Sequence, residues 1–586
     1  MARSDRSGWR VSHPDDILRR LARSGRTMLP VSSESNYRRP TGMSSRGRMV
    51  LLALISVSVL AALPFVWPRN SIRVEGLVPK QFLRAADAAK LEVVVSVKPA
   101  SSTKSARVQL DGQPVPTRVV GGKLRFTLGP MIDGIHRITV TSGGGLLLRG
   151  PASKQVVFSI DSAEPTLTKV AMSAATSIQA PVTVTGVTEA QATVSVNGVS
   201  AVADAVGRFT VRFAYPPVGA LRISARDLAG NEHITMRKSS LAKLLPELRS
   251  VHVSQVAWAD KKRRAELLAL AAAGRITAVE LDIKDEQGHL GHTSGVPLVN
   301  QLGASLGLYD LKAVVSELHA ARVLVVGRVV TFRDPLFVAA AQRTGHPEQV
   351  VQDASGQPVT GKAVGYTNFG NALVRNYNSA VALEAAVAGV DVLMFDYVSR
   401  PDGDLSTMRF SGLGADGLGS ISAPTAVAQT VSFINDAVAS LRTTPVRVGV
   451  AVPGFSIRSK DTPPGSTLLL SRAVDYLAPV IFPSTFVSGT FDVADPPAQP
   501  GTIAERAVQA FQEALVNSGV RLVPRLQDFS LVRNYGDKQV SAQISGVAKR
   551  CVGDFSLWNA KVKYHAEALP ATAVIKQPCV ISRSVA

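Results

Sequence analysis

Apolar residues change their spacing along this chain in a way that divides it. Between about residues 72 and 240 they alternate with polar ones in short runs, first LEVVVSVKP, KLRFTLGP and KQVVFSID, then PVTVTGVTE, ATVSVNGVS and GRFTVRFAYPP. Period-two alternation bounded by Gly, Pro, Asn and Asp marks half-buried strands. The spacing therefore predicts two all-β immunoglobulin-like sandwiches, over 72–162 and 164–240. After about residue 250 the alternation gives way to continuous apolar runs separated by stretches of helical period. The runs at 252–259, 276–283, 322–332, 390–398, 445–452, 475–482, 521–529 and 554–558 read as buried parallel strands. Helices are expected at 261–273, 309–321, 371–388, 423–442, 501–518 and 537–550. This alternation predicts a (β/α)8 TIM barrel over 251–565, with its largest insertion between strands 3 and 4 and a tail at 566–586. No Gly-rich phosphate loop follows the first run, which argues against a dinucleotide fold.

One apolar run is of another kind. Residues 49–67, MVLLALISVSVLAALPFVW, carry no charge, and Arg46 and Arg48 precede them. The length suits a single bilayer crossing, and the positive-inside rule puts the N-terminus in the cytoplasm. A cleaved signal peptide is the alternative; the long basic leader and the lack of an A-x-A site favour a retained anchor. Residues 1–48 then form a disordered basic tail. The expected location is the cell membrane, single-pass, with the C-terminal domains outside.

Composition changes this picture little. Of the formal charge of +21, residues 1–48, with eleven Arg against Asp5, Asp15, Asp16 and Glu34, supply a third, and no basic block or nucleic-acid module appears elsewhere. Nucleic acid is thus not an expected partner. Cys551 and Cys579 both fall on the external side, where a disulfide between them is permitted; two buried thiols are the other possibility. His289 and His292 stand in a loop-like GHLGHT, and neither a metal site nor a cofactor is expected. The sequence leaves the oligomeric state open.

Active sites of such barrels lie at the C-terminal ends of the strands. The acids there are Asp260, Asp282, Asp285, Asp334, Asp396 and Asp528. Trp258, Tyr397, Phe482, Phe486, Gln527, Trp558 and Asn559 share the rim, with Arg328 and Arg400 placed to pair with acids or bind hydroxyls. Carboxylates ringed by aromatics suit a sugar, because glycosidic cleavage needs one acid for the leaving oxygen and a second carboxylate as nucleophile or base. Asp260 and Asp334 read as helix caps.

The segments TAVELDIKDEQGHL, YDLKAVVSELHAARVLVVGRVVTFRDP, GVDVLMFDYVSRP, DYLAPVIFPSTF, PRLQDF and FSLWNAKVKY, in that order, resemble the glycosyl hydrolase barrels of bacterial envelopes. That family is distantly related to the alpha-amylase clan. The resemblance implies that Asp396 is the central catalytic carboxylate and that Asp528 matches the clan's third acid. Asp285, in the matched IKDEQG segment, is the first candidate for the general acid. Trp258, Arg328, Tyr397, Arg400, Phe482, Gln527, Trp558 and Asn559 are the expected substrate-binding residues. Three departures stand out: VGVAVPGF has no strand-5 carboxylate, Met394 replaces an Arg, and FPSTF replaces YPSHY. The expected function is an anchored hydrolase of an envelope or extracellular polysaccharide. The alternative is a non-catalytic carbohydrate-binding or scaffold protein on a degenerate barrel.

Overall fold

The computed structural model describes residues 70–571 apart from 144–150, 239–240, 242–243, 360–364, 415–418, 459–462 and 464. The basic tail, the apolar run 49–67 and Cys579, with the predicted disulfide, lie outside the described residues. Among the described residues no helix is long and apolar enough to cross a bilayer.

The N-terminal β region forms two units. In the first, strands Ser71–Glu75, Glu92–Lys98, Lys123–Thr127 and Arg118–Val120 make one sheet. The longer pair Gly134–Ser142 and Ala152–Ile160 anchors a second, five-stranded sheet. Alternate residues of both, among them Val93, Val95, Phe126, Ile138, Val140 and Phe158, meet in one core. The second unit packs a three-stranded sheet on a four-stranded one around Val184, Val194, Phe209 and Ile223.

The C-terminal region is a closed ring of eight parallel strands: β1 (Arg249–Val253), β2 (Ala278–Lys284), β3 (Leu324–Val330), β4 (Val392–Asp396), β5 (Arg447–Pro453), β6 (Tyr476–Ile481), β7 (Arg525–Gln527) and β8 (Phe555–Trp558). β1 pairs in parallel with both β2 and β8, which closes it. Ahead of β7, Arg521–Leu522 also pairs with β6; the break falls at Pro524, which has no N–H for the ladder. The extra segments Leu290–His292 and Ser305–Tyr309 extend the sheet beside β2.

The first strand departs from expectation. β1 ends at Val253, because the Ser254 hydroxyl accepts from the Ala257 N–H and starts a helix over Gln255–Ala259. Trp258 is therefore a helical residue, fully buried in the core outside the ring.

Side chains inside the ring fall into two levels. The lower one, at the strands' N-terminal ends, is apolar: Ala278, Val326, Val392, Met394, Ala451, Tyr476, Ala478 and Val523, floored by Leu245 and Leu248. Met394 fits because β5 offers Gly449 opposite it; a Cβ there would come within 2.7 Å of the Met394 methyl. The second β unit docks on this floor. Ala220 N–H donates to the Arg472 carbonyl (2.7 Å), Gly219 N–H to Asp475 (3.1 Å) and the Arg447 guanidinium to the Pro216 carbonyl (2.8 Å).

Candidate active site at the barrel mouth

Above the apolar floor the ring turns polar. The same inward parity that points Ala278 into the ring brings Glu280 and Asp282 from β2, His252 from β1, Arg328 from β3, Asp396 from β4, Arg525 from β7, and Ser556 and Trp558 from β8. Arg328, 1% exposed, is the hub. Its Nε donates to Asp396 Oδ2 (2.8 Å), Nη1 to Asp282 Oδ1 (2.8 Å) and Nη2 to Glu286 Oε1 (2.5 Å). Arg525 Nη1 donates to the same Asp396 Oδ2 (2.5 Å), and its Nη2 to Glu280, whose other oxygen accepts from Ser556 (2.6 Å). His252 Nε2 bonds Asp282 Oδ2 (2.9 Å), and its ring stacks on Trp558 at 3.6 Å. Both guanidinium groups lie over the same indole, at 4.6 and 5.4 Å.

The network fixes charge. Burial opposes ionisation of Asp396, but Arg525 and Arg328 outweigh it and hold its pKa well below the usual carboxylate range. Burial likewise opposes ionisation of Asp282, and His252 and Arg328 together pull it lower. A depressed folded pKa contributes stability that is present above the free value, 3.8, and lost as pH falls through the folded one. Unfolding free energy is therefore expected to hold down to about pH 4 and drop below it. Denaturant titrations at successive pH values check this, and Asp396→Asn should make the drop shallower. An equally steep drop in that variant would remove Asp396 as its source.

Two groups at the rim differ from this locked interior. Asp396 keeps 12% of its side chain exposed, and its Oδ1 accepts one bond, from the Tyr397 N–H (2.9 Å). Glu286, in the loop after β2, has 25% of its side chain exposed and is bound on one side by Arg328. Sharing one guanidinium sets the two carboxylates two hydrogen bonds apart, one in the loop after β2 and one at the end of β4, with β3 between them. Tyr397 has a left-handed backbone, φ 50°, a strained conformation for a bulky residue. Its ring lies near Tyr366 (6.3 Å) and beneath Arg333 (5.7 Å).

The other expected site residues are engaged elsewhere. Asp285 is a turn former: Oδ1 accepts from the Gln287 and His289 N–H groups (both 2.9 Å) and Oδ2 from Gln255 (2.6 Å). It shapes the loop that carries Glu286. Asp528 is fully buried and bonds the His565 backbone N–H (3.0 Å) and Nδ1 (2.5 Å); burial raises its pKa, against the His565 bonds. Asn559 ties the Asp528 carbonyl to that of Lys563. Gln527, wholly buried, accepts from the Ser484 N–H (3.0 Å) and donates to the Ser484 hydroxyl (2.8 Å), holding the loop after β6. Trp258, inside the hydrophobic core, has no route to a ligand at the mouth. Phe482 stays half-buried, edge-on to Phe529 (5.3 Å). Arg400 donates to the carbonyls of Pro401 (3.2 Å) and Gly403 (2.8 Å) on the wall of a 420 Å³ cavity beside the mouth, with Val398, Pro453 and Phe455. Asp260 and Asp334 cap helices as expected, Asp334 also receiving Lys284 (2.9 Å). Just past β5, a Cβ on Gly454 would lie 2.3 Å from the Val480 carbonyl, so that position has no room for an acid.

The residues that this geometry adds are His252, Glu280, Glu286 and Arg525. The family model described as "Putative glycosyl hydrolase domain" matches residues 250–564, which is more than half of the chain and all of the ring but Arg249. The chain belongs to this family. No curated relative matches the sequence. Among solved structures, a hypothetical protein from Ruminiclostridium thermocellum is 23% identical over 34% of this chain and 96% of that one, with a TM-score of 0.29. The glycoside hydrolase domain of PgaB (BpsB) from Bordetella bronchiseptica is 13% identical, covering 54% of this chain and 95% of its own, at a TM-score of 0.38. An endo-1,4-beta-D-mannanase from Thermotoga petrophila is 10% identical, over 53% and 88%, at 0.35.

Proposed function

We propose that this chain is a glycoside hydrolase acting on a polysaccharide at the cell envelope, with Asp396 as its fixed carboxylate and Glu286 as its proton donor. The observation that carries this reading is the pair of carboxylates held on Arg328, one locked in its ionised form and the other half out of the ring. Cleavage of a glycosidic bond builds positive charge on the anomeric carbon while the leaving oxygen takes a proton. Asp396 cannot hold a proton between two guanidinium groups, so it serves as nucleophile or as the charge that stabilises the oxocarbenium ion. Its position at the end of β4 is also where the alpha-amylase clan carries its nucleophile. Glu286 has one guanidinium contact and an open side, which suits transfer of a proton to and from the substrate. The hydrogen-bonded network itself joins four carboxylates, Glu280, Asp282, Glu286 and Asp396, to two guanidinium groups and one imidazole, a balance that favours a cationic transition state. Tyr397, Phe482 and the cavity beyond Arg400 supply surface for neighbouring sugar units.

The apolar run 49–67 with its basic flank supports a membrane anchor, and the two β units then act as an immunoglobulin-like spacer outside the cell. Replacing Glu286 by Gln is expected to cut release of reducing ends from envelope polysaccharide by roughly 10²–10⁴-fold. An unchanged rate would take the proton-donor role from Glu286. If the wild-type protein binds glycans and releases no reducing ends from any of them, the non-catalytic reading replaces this one.

A further inference from the structure

The junction between the second β unit and the barrel encloses a cavity of about 620 Å³, within the range of small-molecule sites. It lies on the floor side of the ring, away from the mouth. Most of its wall is apolar: Phe213, Tyr215, Pro217 and Met236 from the β unit face Val438 and Leu469 from the barrel. Into this wall are set four guanidinium groups, Arg222, Arg442, Arg447 and Arg472, and among the described residues no carboxylate lines it. Arg447 is 1% exposed, yet Nε and Nη1 have no hydrogen-bond partner. Its Nη2 holds the Pro216 carbonyl, and Asp475 approaches Nη1 no closer than 3.5 Å while accepting from the Gly219 N–H. A buried guanidinium left with open donors is costly unless an acceptor reaches it.

We infer that this cavity binds an anionic amphiphile, its phosphate or carboxylate head on Arg447 and its alkyl chain along the apolar wall. The reading does not depend on the catalytic one, since no mouth residue takes part. Nε and Nη1 lie on opposite edges of the guanidinium and Nη2 is taken by Pro216, so a head-group oxygen would accept from one of the two open donors, and Arg442 and Arg472 add charge at the entrance. The apolar wall then separates such a ligand from inorganic phosphate.

The test is photolabelling of the full chain in neutral phosphatidylcholine vesicles with a long-chain alkyl phosphate bearing a diazirine, followed by peptide mapping. Label is expected on peptides from 197–222 and 431–447. It should fall at least tenfold in Arg447→Met and in Leu469→Glu, the second lying on the exposed rim where folding is untouched. A matched probe with a neutral sugar head should label these peptides at least tenfold less. The inference is overturned if the neutral probe labels equally, or if both variants label like wild type. Full competition by millimolar inorganic phosphate would also sink it, by making phosphate alone the ligand.

Discussion

Arg328→Met is expected to lower the unfolding free energy by about 3–5 kcal/mol, the cost of removing one partner from a buried ion network. Arg328 serves Asp282, Asp396 and Glu286 at once. Without it Asp282 keeps His252 and Asp396 keeps Arg525, but Glu286 loses its ion pair and the acids repel one another. Methionine fills the volume, so the loss reports charge rather than a cavity. Chemical denaturation at pH 7 measures it. The same experiment at pH 3 should show a smaller difference, because the unfolded chain and the variant then take up protons on these acids while the folded wild type still holds them ionised. A loss below 1 kcal/mol at neutral pH would mean that the network is not what holds the upper ring.

Asp396→Asn separates stability from chemistry. Arg328 retains two carboxylates and Arg525 retains Glu280, so the stability cost should be smaller, about 1–3 kcal/mol. Turnover is expected to fall by 10³-fold or more, about 4 kcal/mol of transition-state stabilisation, since the amide carries no charge for the anomeric carbon. A folded Asp396→Asn protein that still releases reducing ends at more than a tenth of the wild-type rate would remove Asp396 from the centre of the reaction.

The barrel was legible because a buried parallel strand is an uninterrupted apolar word: β2 to β6 and β8 begin and end within two residues of the expected limits, and β7 starts four residues late, past the break at Pro524. β1 was misread through the Trp258 side chain: an apolar run does not say where a serine cap converts strand to helix. Asp396 could be found from its place at a strand end. Glu286 could not be chosen over Asp285, because both sit in one turn. Only the backbone decides which carboxylate accepts the turn's own N–H groups and which is left to face the ring. Glu280 and Arg525 did leave a sign. A charged residue at the inward parity of an apolar strand needs a partner across the ring, and VELD carries two and PRLQ one. Which partner it finds depends on strand order and stagger, which no local pattern contains.

The apolar floor under the charged level makes the ring a cup rather than a tube. Tyr476, Met394 and the Leu245–Leu248 plug shut the end nearest the second β unit, so nothing can pass through along the axis. On the function proposed above, a polymer would lie across the rim and dip one unit toward Asp396, and both new chain ends would depart from the face by which it arrived.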